Sequence, residues 1–137
     1  RYYEVILSTI TSYDDFDSLG HLDYACRYAK DTVTRTNTYF PYRDIIDAIL
    51  EEIISKDKAL EINTGAYSKG LNQPNPCVDI IKRYHELGGK LITLGADAHS
   101  PDKVAHRFEL LPDLLSDCGF TEYVVYKKRT PVAYPLG

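Results

Sequence analysis

A stripe of isoleucine and leucine side chains is the clearest hydrophobic pattern in the chain. Its members recur three or four positions apart, which is the spacing of one face of an α-helix. They are Ile45, Ile46, Ile49, Leu50, Ile53 and Ile54. Acidic residues lie between them and are expected to form a solvated face: Asp44, Asp47, Glu51 and Glu52. The pattern predicts a helix over residues 44–54 that packs with one face on a core.

Shorter apolar runs alternate with helical patterns along the rest of the chain. Strands are predicted just before Gly20 and over 58–63, 91–94, 123–126 and 132–134, the last two around a basic turn. Helices are predicted over 2–13, 24–30 and 75–87, with another after Ser100 that Pro112 should kink or split near Leu111. We expect Asp23 to cap the helix over 24–30 and Asn75 with Pro76 to begin the helix over 75–87. Residues 32–41 lack a period and are expected to form a loop.

The repeated order of strand, loop and helix predicts an α/β fold with a parallel sheet. Three of the predicted strand ends carry polar residues: Gly20-His-Leu-Asp23, Glu61-Ile-Asn63 and Asp97-Ala-His99. The carboxyl ends of parallel strands share one rim, where such folds hold their chemistry. The chain is too short to close a barrel of the usual ~250 residues but would supply roughly half of one. We expect residues 1–137 to form a single domain.

Asp97 and His99 directly follow the apolar run Leu91-Ile-Thr-Leu94 and Gly95. In an extended segment, side chains two positions apart point to the same side. A carboxylate oxygen and an imidazole nitrogen that converge there suit Zn, Mn or Fe. The sequence therefore predicts that this pair contributes to a metal site at the rim.

Composition narrows the classes of protein that fit. The formal net charge of −4 provides no general attraction to nucleic acid or to an anionic membrane. No apolar run approaches the ~20 residues of a membrane span, and no signal-peptide pattern is present. Cys26, Cys77 and Cys118 are odd in number and form no Cys-x-x-Cys pair, which predicts reduced, buried thiols in a cytoplasmic protein. Because the first residue is Arg1, we expect the chain to be a fragment of a longer protein.

Three segments resemble successive motifs of the PHP superfamily. They are Gly20-His-Leu-Asp23, Leu60-Glu-Ile-Asn-Thr64 and Gly95-Ala-Asp-Ala-His-Ser-Pro101. In this order and spacing they are most similar to the histidinol-phosphate phosphatases of the PHP type, over nearly the whole chain. The resemblance implies that the chain is the C-terminal part of a distorted (β/α)7 TIM-like barrel. It also implies up to three divalent metal ions (Zn, Mn or Fe) in the full-length fold, and fewer or none in this fragment.

The resemblance also implies roles for individual residues in the hydrolysis of a small-molecule phosphate monoester. Metal ligands would be His21, Asp97 and His99, and Asp97 would also bridge two metals or accept a proton. A metal-bound hydroxide would attack phosphorus, and the products would be an alcohol and inorganic phosphate.

Three further residues are assigned to the substrate: Arg27 and Lys69 to the phosphoryl oxygens, and Asn63 to a direct contact. The alternative for Arg27 and Lys69 is that they are ordinary solvated charges. The alternative for Asn63, and for Glu61 beside it, is that they satisfy backbone groups at the rim.

Two departures from the family pattern bear on activity. The family's His-x-His pair and its further His and Glu ligands have no counterpart in this chain, and Ser68 stands where Arg is often found. We therefore expect a fragment that is inactive in isolation, within a full-length metal-dependent phosphatase. The alternatives are the PHP domain of a DNA polymerase, acting as a nuclease or a structural module, and a non-catalytic scaffold. The sequence leaves the oligomeric state open.

Overall fold

The computed structural model describes residues 1–137, which form five α-helices and five strands. The helices are α1 (Tyr2–Ser12), α2 (Thr32–Thr36), α3 (Arg43–Ser55), α4 (Val78–Glu86) and α5 (Leu111–Asp117). The strands are β1 (Ser18–Leu19), β2 (Ala59–Asn63), β3 (Ile92–Gly95), β4 (Glu122–Lys127) and β5 (Thr130–Pro135). Short 3₁₀ turns lie at Tyr24–Tyr28, Phe40–Tyr42, Thr64–Lys69, Pro101–Lys103 and Phe108–Leu110. No helix combines the length and the hydropathy that a membrane span requires.

The first three strands form one parallel sheet in the order β1-β2-β3. Leu19 lies opposite Leu60, and Asn63 at the end of β2 lies opposite Gly95 at the end of β3. The carboxyl ends of the three strands therefore lie along one edge of the sheet, which we call the rim. This arrangement confirms the predicted α/β layering around a parallel sheet.

Helix α3 supplies much of the core, as its hydrophobic stripe predicted. Four of its side chains are fully buried, and two more are partly buried against the same cluster: Ile46, Ile49, Leu50 and Ile53, then Ile45 and Ile54. The predicted solvated face is wrong at two positions. Glu52 is partly buried and pairs with Lys56 at 3.3 Å, and Asp47 is partly buried and contacts two neighbours. The Asp47 carboxylate accepts a hydrogen bond from the Tyr39 hydroxyl at 2.9 Å and pairs with the Arg83 guanidinium at 3.0 Å.

The segments around α2 and α4 differ from the predicted boundaries. Residues 32–41, predicted as a loop, contain α2, whose N-cap Asp31 accepts a hydrogen bond from Thr34 N at 2.7 Å. The helix predicted over 75–87 begins only at Val78. The peptide bond between Asn75 and Pro76 is cis, and the backbone of Asn75 pairs with Asn63. Because both backbone groups of Asn75 are used in that bridge, Asn75 cannot begin a helix.

The long helix predicted after Ser100 is instead two 3₁₀ turns followed by α5. Ala105 and Arg107 adopt positive φ values of 54° and 64°, which a right-handed helix does not allow. Pro112 lies in the first turn of α5, where its missing N–H has no partner to lose. The pattern is therefore split at Leu111, as predicted, with the proline in the first turn of the second segment.

The predicted hairpin is confirmed as the antiparallel pair β4 and β5. Lys127 lies opposite Thr130, which leaves a two-residue turn of Lys128 and Arg129, both with positive φ. The Arg129 guanidinium pairs with the carboxylates of Asp15 and Asp17. These contacts hold the tip of the hairpin on the segment that leads into β1.

Close packing between α4 and β3 depends on a glycine. The Tyr84 ring is almost fully buried, and its hydroxyl donates a hydrogen bond to Leu91 O at 2.8 Å. A β-carbon at Gly89 would lie 2.4 Å from the Tyr84 ring. Only glycine therefore fits between the end of α4 and this ring.

We expect Gly89→Ala to lower the free energy of unfolding by about 1–3 kcal/mol, because the added methyl group overpacks a buried ring. Urea denaturation followed by circular dichroism measures the change. Gly137→Ala is the control, since a β-carbon there meets nothing within 4 Å. Identical denaturation midpoints for the two variants would show that the Tyr84 ring can move aside.

Candidate functional site

A cleft of about 500 Å³ lies at the rim, and four of the predicted site residues line it. These four are Arg27, Lys69, Asp97 and His99. The other lining residues are Tyr24, Tyr28, Gly65, Ser68, Ala96, Ser100 and Lys103. A second cavity, of about 570 Å³, lies between β3, α5 and the hairpin and contains none of the predicted site residues. We call the first of these the rim cleft.

Asp97 and His99 reach the rim cleft by a route that differs from the predicted one. The backbone is not extended at Asp97, which has a φ of 53°. His99 Nδ1 lies 2.8 Å from the backbone oxygen of Asp97. Because a carbonyl oxygen only accepts, Nδ1 is assigned the proton in the neutral imidazole, which is the tautomer that has its lone pair on Nε2. A backbone carbonyl that fixes one imidazole nitrogen in this way is typical of metal-ligating histidines.

His21 lies apart from this pair. It is exposed, its ring packs on Tyr24 with centroids 4.7 Å apart, and it is not among the residues that line the rim cleft. No three His, Cys, Asp or Glu side chains lie close enough together to hold a metal ion. The three predicted ligands therefore do not form one cluster within this chain, and their assignment to metal stays a prediction.

Arg27 is buried at the base of the rim cleft, and only 2% of its side chain is exposed. Its Nε donates a hydrogen bond to Asn75 Oδ1 at 2.5 Å. Its Nη1 lies 3.7 Å from Asp97 Oδ2, and its buried Nη2 has no hydrogen-bond partner. The Tyr24 ring covers the guanidinium, with 4.6 Å between Cζ and the ring centroid. The alternative of an ordinary solvated charge is therefore wrong for Arg27.

Asp23 lies behind Arg27 and is fully buried. It occupies the N-cap position of the 3₁₀ turn at Tyr24–Tyr28, but its side chain makes no capping hydrogen bond. Its carboxylate instead accepts from Thr38 Oγ1 at 2.7 Å, Asn75 Nδ2 at 2.8 Å and Cys77 N at 2.9 Å. Burial raises the pKa of Asp23, and these three donors oppose the rise. The predicted helix-capping role is replaced by a buried polar network.

Sequence reasoning missed this network because its members are far apart along the chain. Arg27 and Asn75 are separated by 48 positions, and Asp23 and Cys77 by 54. Asp before a helix and Asn before proline are both common local patterns, so neither one indicates a distant partner. No feature of the sequence alone would have joined them.

Asn63 and Glu61, the polar residues of β2, contact neighbouring parts of the chain at the rim. Asn63 is 2% exposed, and its Oδ1 accepts a hydrogen bond from Gly65 N at 2.8 Å. This satisfies a backbone group, which was the alternative interpretation of Asn63, and its contact with substrate stays a prediction. The Glu61 carboxylate lies against Gly20 and Gly95, where added β-carbons would come within 2.8 and 2.6 Å of its oxygens.

Two cationic side chains complete the electrostatics of the rim cleft. Lys69 lines it and is exposed, so its contact with phosphate stays a prediction; the Lys69 backbone oxygen accepts a hydrogen bond from Arg35 at 2.8 Å. Lys103 lines the same cleft and was not predicted. With Arg27, the cleft has three cations against the single carboxylate of Asp97. Such a charge balance suits a small anion.

The three cysteines are free and buried, which agrees with the prediction of reduced thiols. Burial raises the pKa of Cys26 to about 11, and burial also raises the pKa values of Cys77 and Cys118. Since the thiolate is the reactive form, none of the three is poised as a nucleophile.

The fold and the rim cleft define an α/β protein with a cation-lined cleft at the carboxyl edge of a parallel sheet. No protein-family model matches the chain. A probable histidinol-phosphatase of Clostridium acetobutylicum is 33% identical over 132 residues, which are 93% of this chain and 49% of that protein. One from Thermotoga maritima is 40% identical over 115 residues, 83% of this chain and 46% of that protein. The histidinol-phosphatase of Lactococcus lactis is 31% identical over 126 residues, 92% of this chain and 46% of that protein.

A solved structure of a histidinol phosphate phosphatase is also similar to this chain. The crystal structure of the histidinol phosphate phosphatase of Lactococcus lactis, complexed with zinc, L-histidinol and phosphate, matches with a TM-score of 0.71 and 26% identity. The match covers 96% of this chain and 49% of that chain. The resemblance predicted from three motifs is confirmed, and the chain is related to the histidinol-phosphatases. It spans about half the length of the relatives it matches.

We expect Asp23→Ala to lower the free energy of unfolding by about 3 kcal/mol or more. The change leaves three buried donors without an acceptor. It also removes the buried carboxylate that is linked to Arg27 by the hydrogen bonds of the Asn75 amide. The control is Asp44→Ala, whose carboxylate is fully exposed and should shift stability by less than about 0.5 kcal/mol. Chemical denaturation measures both variants, and a loss at Asp23 no larger than at Asp44 would contradict the network.

Proposed function

We propose that this chain is the C-terminal part of a metal-dependent phosphoric monoester hydrolase whose substrate is histidinol phosphate. The observation that carries the proposal is the buried guanidinium of Arg27 in a cleft shared with Asp97 and His99. The relatives named histidinol-phosphatase support the reaction class. Because the chain spans about half of their length, the activity is proposed for the whole protein that contains it.

Within this proposal, the cations of the rim cleft bind the phosphoryl group. Arg27 has two nitrogens without a hydrogen bond, which suits two oxygens of one phosphoryl group. Lys69 and Lys103 add positive charge from the other walls of the cleft. Donors held in place before the reaction stabilise the charge on the phosphoryl oxygens in the transition state. Asn63 is proposed to contact the remainder of the substrate through its amide nitrogen.

We further propose that His21, Asp97 and His99 contribute ligands to the divalent metal centre of the whole protein, His21 at a position separate from the other two, with Zn, Mn and Fe as the candidate ions. The free Nε2 of His99 and the nearby Asp97 carboxylate have suitable chemistry, and the Lactococcus lactis structure is a zinc complex. A bound divalent ion supplies Lewis acidity and lowers the pKa of a coordinated water. Up to three ions are proposed, and the other ligands would come from the half of the relatives' length that this chain does not span.

The finer fold that we propose is part of a distorted (β/α)7 TIM-like barrel. The sheet is parallel, its polar residues gather at the carboxyl edge, and β1 and β3 each pair on one side only. Further strands of a barrel would continue the sheet at these two edges. We also propose a cytoplasmic location and a small phosphate monoester as partner, supported by the three free cysteines and by the acidic net charge.

The proposed reaction is tested by incubating the intact protein with histidinol phosphate and Zn²⁺, Mn²⁺ or Fe²⁺ and measuring released inorganic phosphate. We expect release that depends on the metal and stops with a chelator. Cleavage of DNA without phosphate release from histidinol phosphate would contradict the proposal and favour a polymerase-associated nuclease. No reaction with any metal would favour a scaffold.

We expect His99→Ala in the intact protein to lower both the metal content and the hydrolysis rate. Loss of a ligand should weaken metal affinity by at least the ~10–100-fold that loss of a supporting partner causes. Metal content is measured by mass spectrometry after dialysis, and rate by phosphate release. His85→Ala is the matched control, because His85 lies on α4 outside the rim cleft. Unchanged metal stoichiometry in His99→Ala would count against this ligand.

A further inference from the structure

Arg27 makes a single side-chain hydrogen bond within the protein, besides the Tyr24 ring that covers it and the ion pair with Asp97. Its Nε donates to Asn75 Oδ1 at 2.5 Å, and neither of its terminal nitrogens makes a hydrogen bond. A guanidinium can present two nitrogens side by side to an anion in only a few directions. With Nε engaged, the pair formed by Nη1 and Nη2 is the one left for an anion.

The amide of Asn75 has only one orientation that satisfies its neighbours. Arg27 can only donate, so Oδ1 must face it, and Nδ2 then donates to Asp23 Oδ1 at 2.8 Å. A rotated amide would place its NH₂ group against the guanidinium and its oxygen against a carboxylate. Asp23 is itself held by Thr38 Oγ1 and Cys77 N, so the carboxylate cannot turn away from Asn75.

Asp23, Asn75 and Arg27 form a hydrogen-bonded chain, which we call the relay, and all three side chains are buried. Asp23 is 0% exposed, Asn75 is 2% exposed and the Arg27 side chain is 2% exposed. Buried hydrogen bonds to charged groups are strong and are not replaced by solvent when they break. The relay therefore transmits the fixed position of Asp23 to the guanidinium in the rim cleft.

The free edge of Arg27 lacks a strong partner within the chain. The 3.7 Å between its Nη1 and Asp97 Oδ2 is too long for a hydrogen bond, and Nη2 is buried with no partner. A buried donor without an acceptor is costly, and a phosphoryl oxygen would satisfy it. The unsatisfied nitrogen is an observation independent of the relatives that points to an anionic ligand.

We propose that Asn75 is a positioning residue that orients Arg27 toward a phosphoryl anion in the rim cleft, with Asp23 holding the Asn75 amide. This inference rests on the proposed function, and it adds a residue outside the cleft lining to the binding machinery. Asn75 acts through Arg27 and does not touch the substrate.

The test is the affinity of the intact, metal-loaded protein for inorganic phosphate, measured by calorimetry. We expect Asn75→Ala to weaken binding about tenfold or more, as for loss of a hydrogen bond to a charged group. Tyr84→Phe is the control, since it also removes a hydrogen bond of a buried side chain, from the Tyr84 hydroxyl to Leu91 O, but Tyr84 neither lines the rim cleft nor hydrogen-bonds to Asp23, Asn75 or Arg27. We expect its phosphate affinity to stay within about twofold of wild type.

A double-variant comparison separates positioning from general damage. In an Arg27→Ala background, Asn75→Ala should weaken phosphate binding no further, because its effect passes through Arg27. In turnover assays, Asn75→Ala should raise KM for the phosphate monoester by a larger factor than it lowers kcat. Equal phosphate affinity for wild type and Asn75→Ala, or additive effects of the two changes, would overturn the inference, as would a wild-type protein that binds no phosphate.

A measurement on the wild-type protein covers the case in which Asn75→Ala does not fold. The Nε–H signal of Arg27, identified by its loss in Arg27→Lys, should be protected from hydrogen exchange and should shift when inorganic phosphate is added. Exchange as fast as in exposed arginines would overturn the inference. Phosphate binding with this coupling but without turnover would leave Asn75 supported while refuting the proposed hydrolysis.

Discussion

A carboxylate removed from water needs hydrogen-bond donors, and Asp23 obtains its three donors from two other parts of the chain. Thr38 comes from the segment after α2, and Asn75 and Cys77 come from the connection that leads into α4. These segments must meet before the charge of Asp23 is compensated. The same condition fixes the path of the chain behind the rim, because moving any one of the segments would expose or orphan the carboxylate.

Asp23 and Arg27 belong to one buried hydrogen-bond network, which both stabilises the fold and orients a side chain of the rim cleft. The two opposite charges are bridged by the Asn75 amide through one hydrogen bond to each. Burying charges is costly, and replacing such groups with apolar side chains is often neutral or stabilising in proteins. A buried arginine that keeps one buried nitrogen without a hydrogen-bond partner is therefore hard to explain by stability alone. It is better explained as a group held ready for an anion.

The elements with strong local signals were predicted well. The stripe on α3, the apolar runs of β2 and β3 and the hairpin of β4 and β5 each depend on near neighbours and have the predicted type. The errors fall where a distant contact or a backbone conformation outweighs local preference. Asn75 pairs with Asn63 instead of starting a helix, and positive φ values at Ala105 and Arg107 break an otherwise helical spacing. Asp47 leaves its solvated face because Arg83 and Tyr39 reach it.

The sequence by itself determined the class of fold, the relation to histidinol-phosphatases and the presence of Arg27, Lys69, Asp97 and His99 near one edge. These follow from hydrophobic period, strand polarity and motif order, all of which are properties of consecutive residues. Only the tertiary structure decided that Arg27 is buried, that Asp23 is a hydrogen-bonded core carboxylate and that Asn75 joins them. The physical reason is that burial and hydrogen bonding link positions about fifty residues apart, and no local pattern of the chain encodes which distant polar groups will meet.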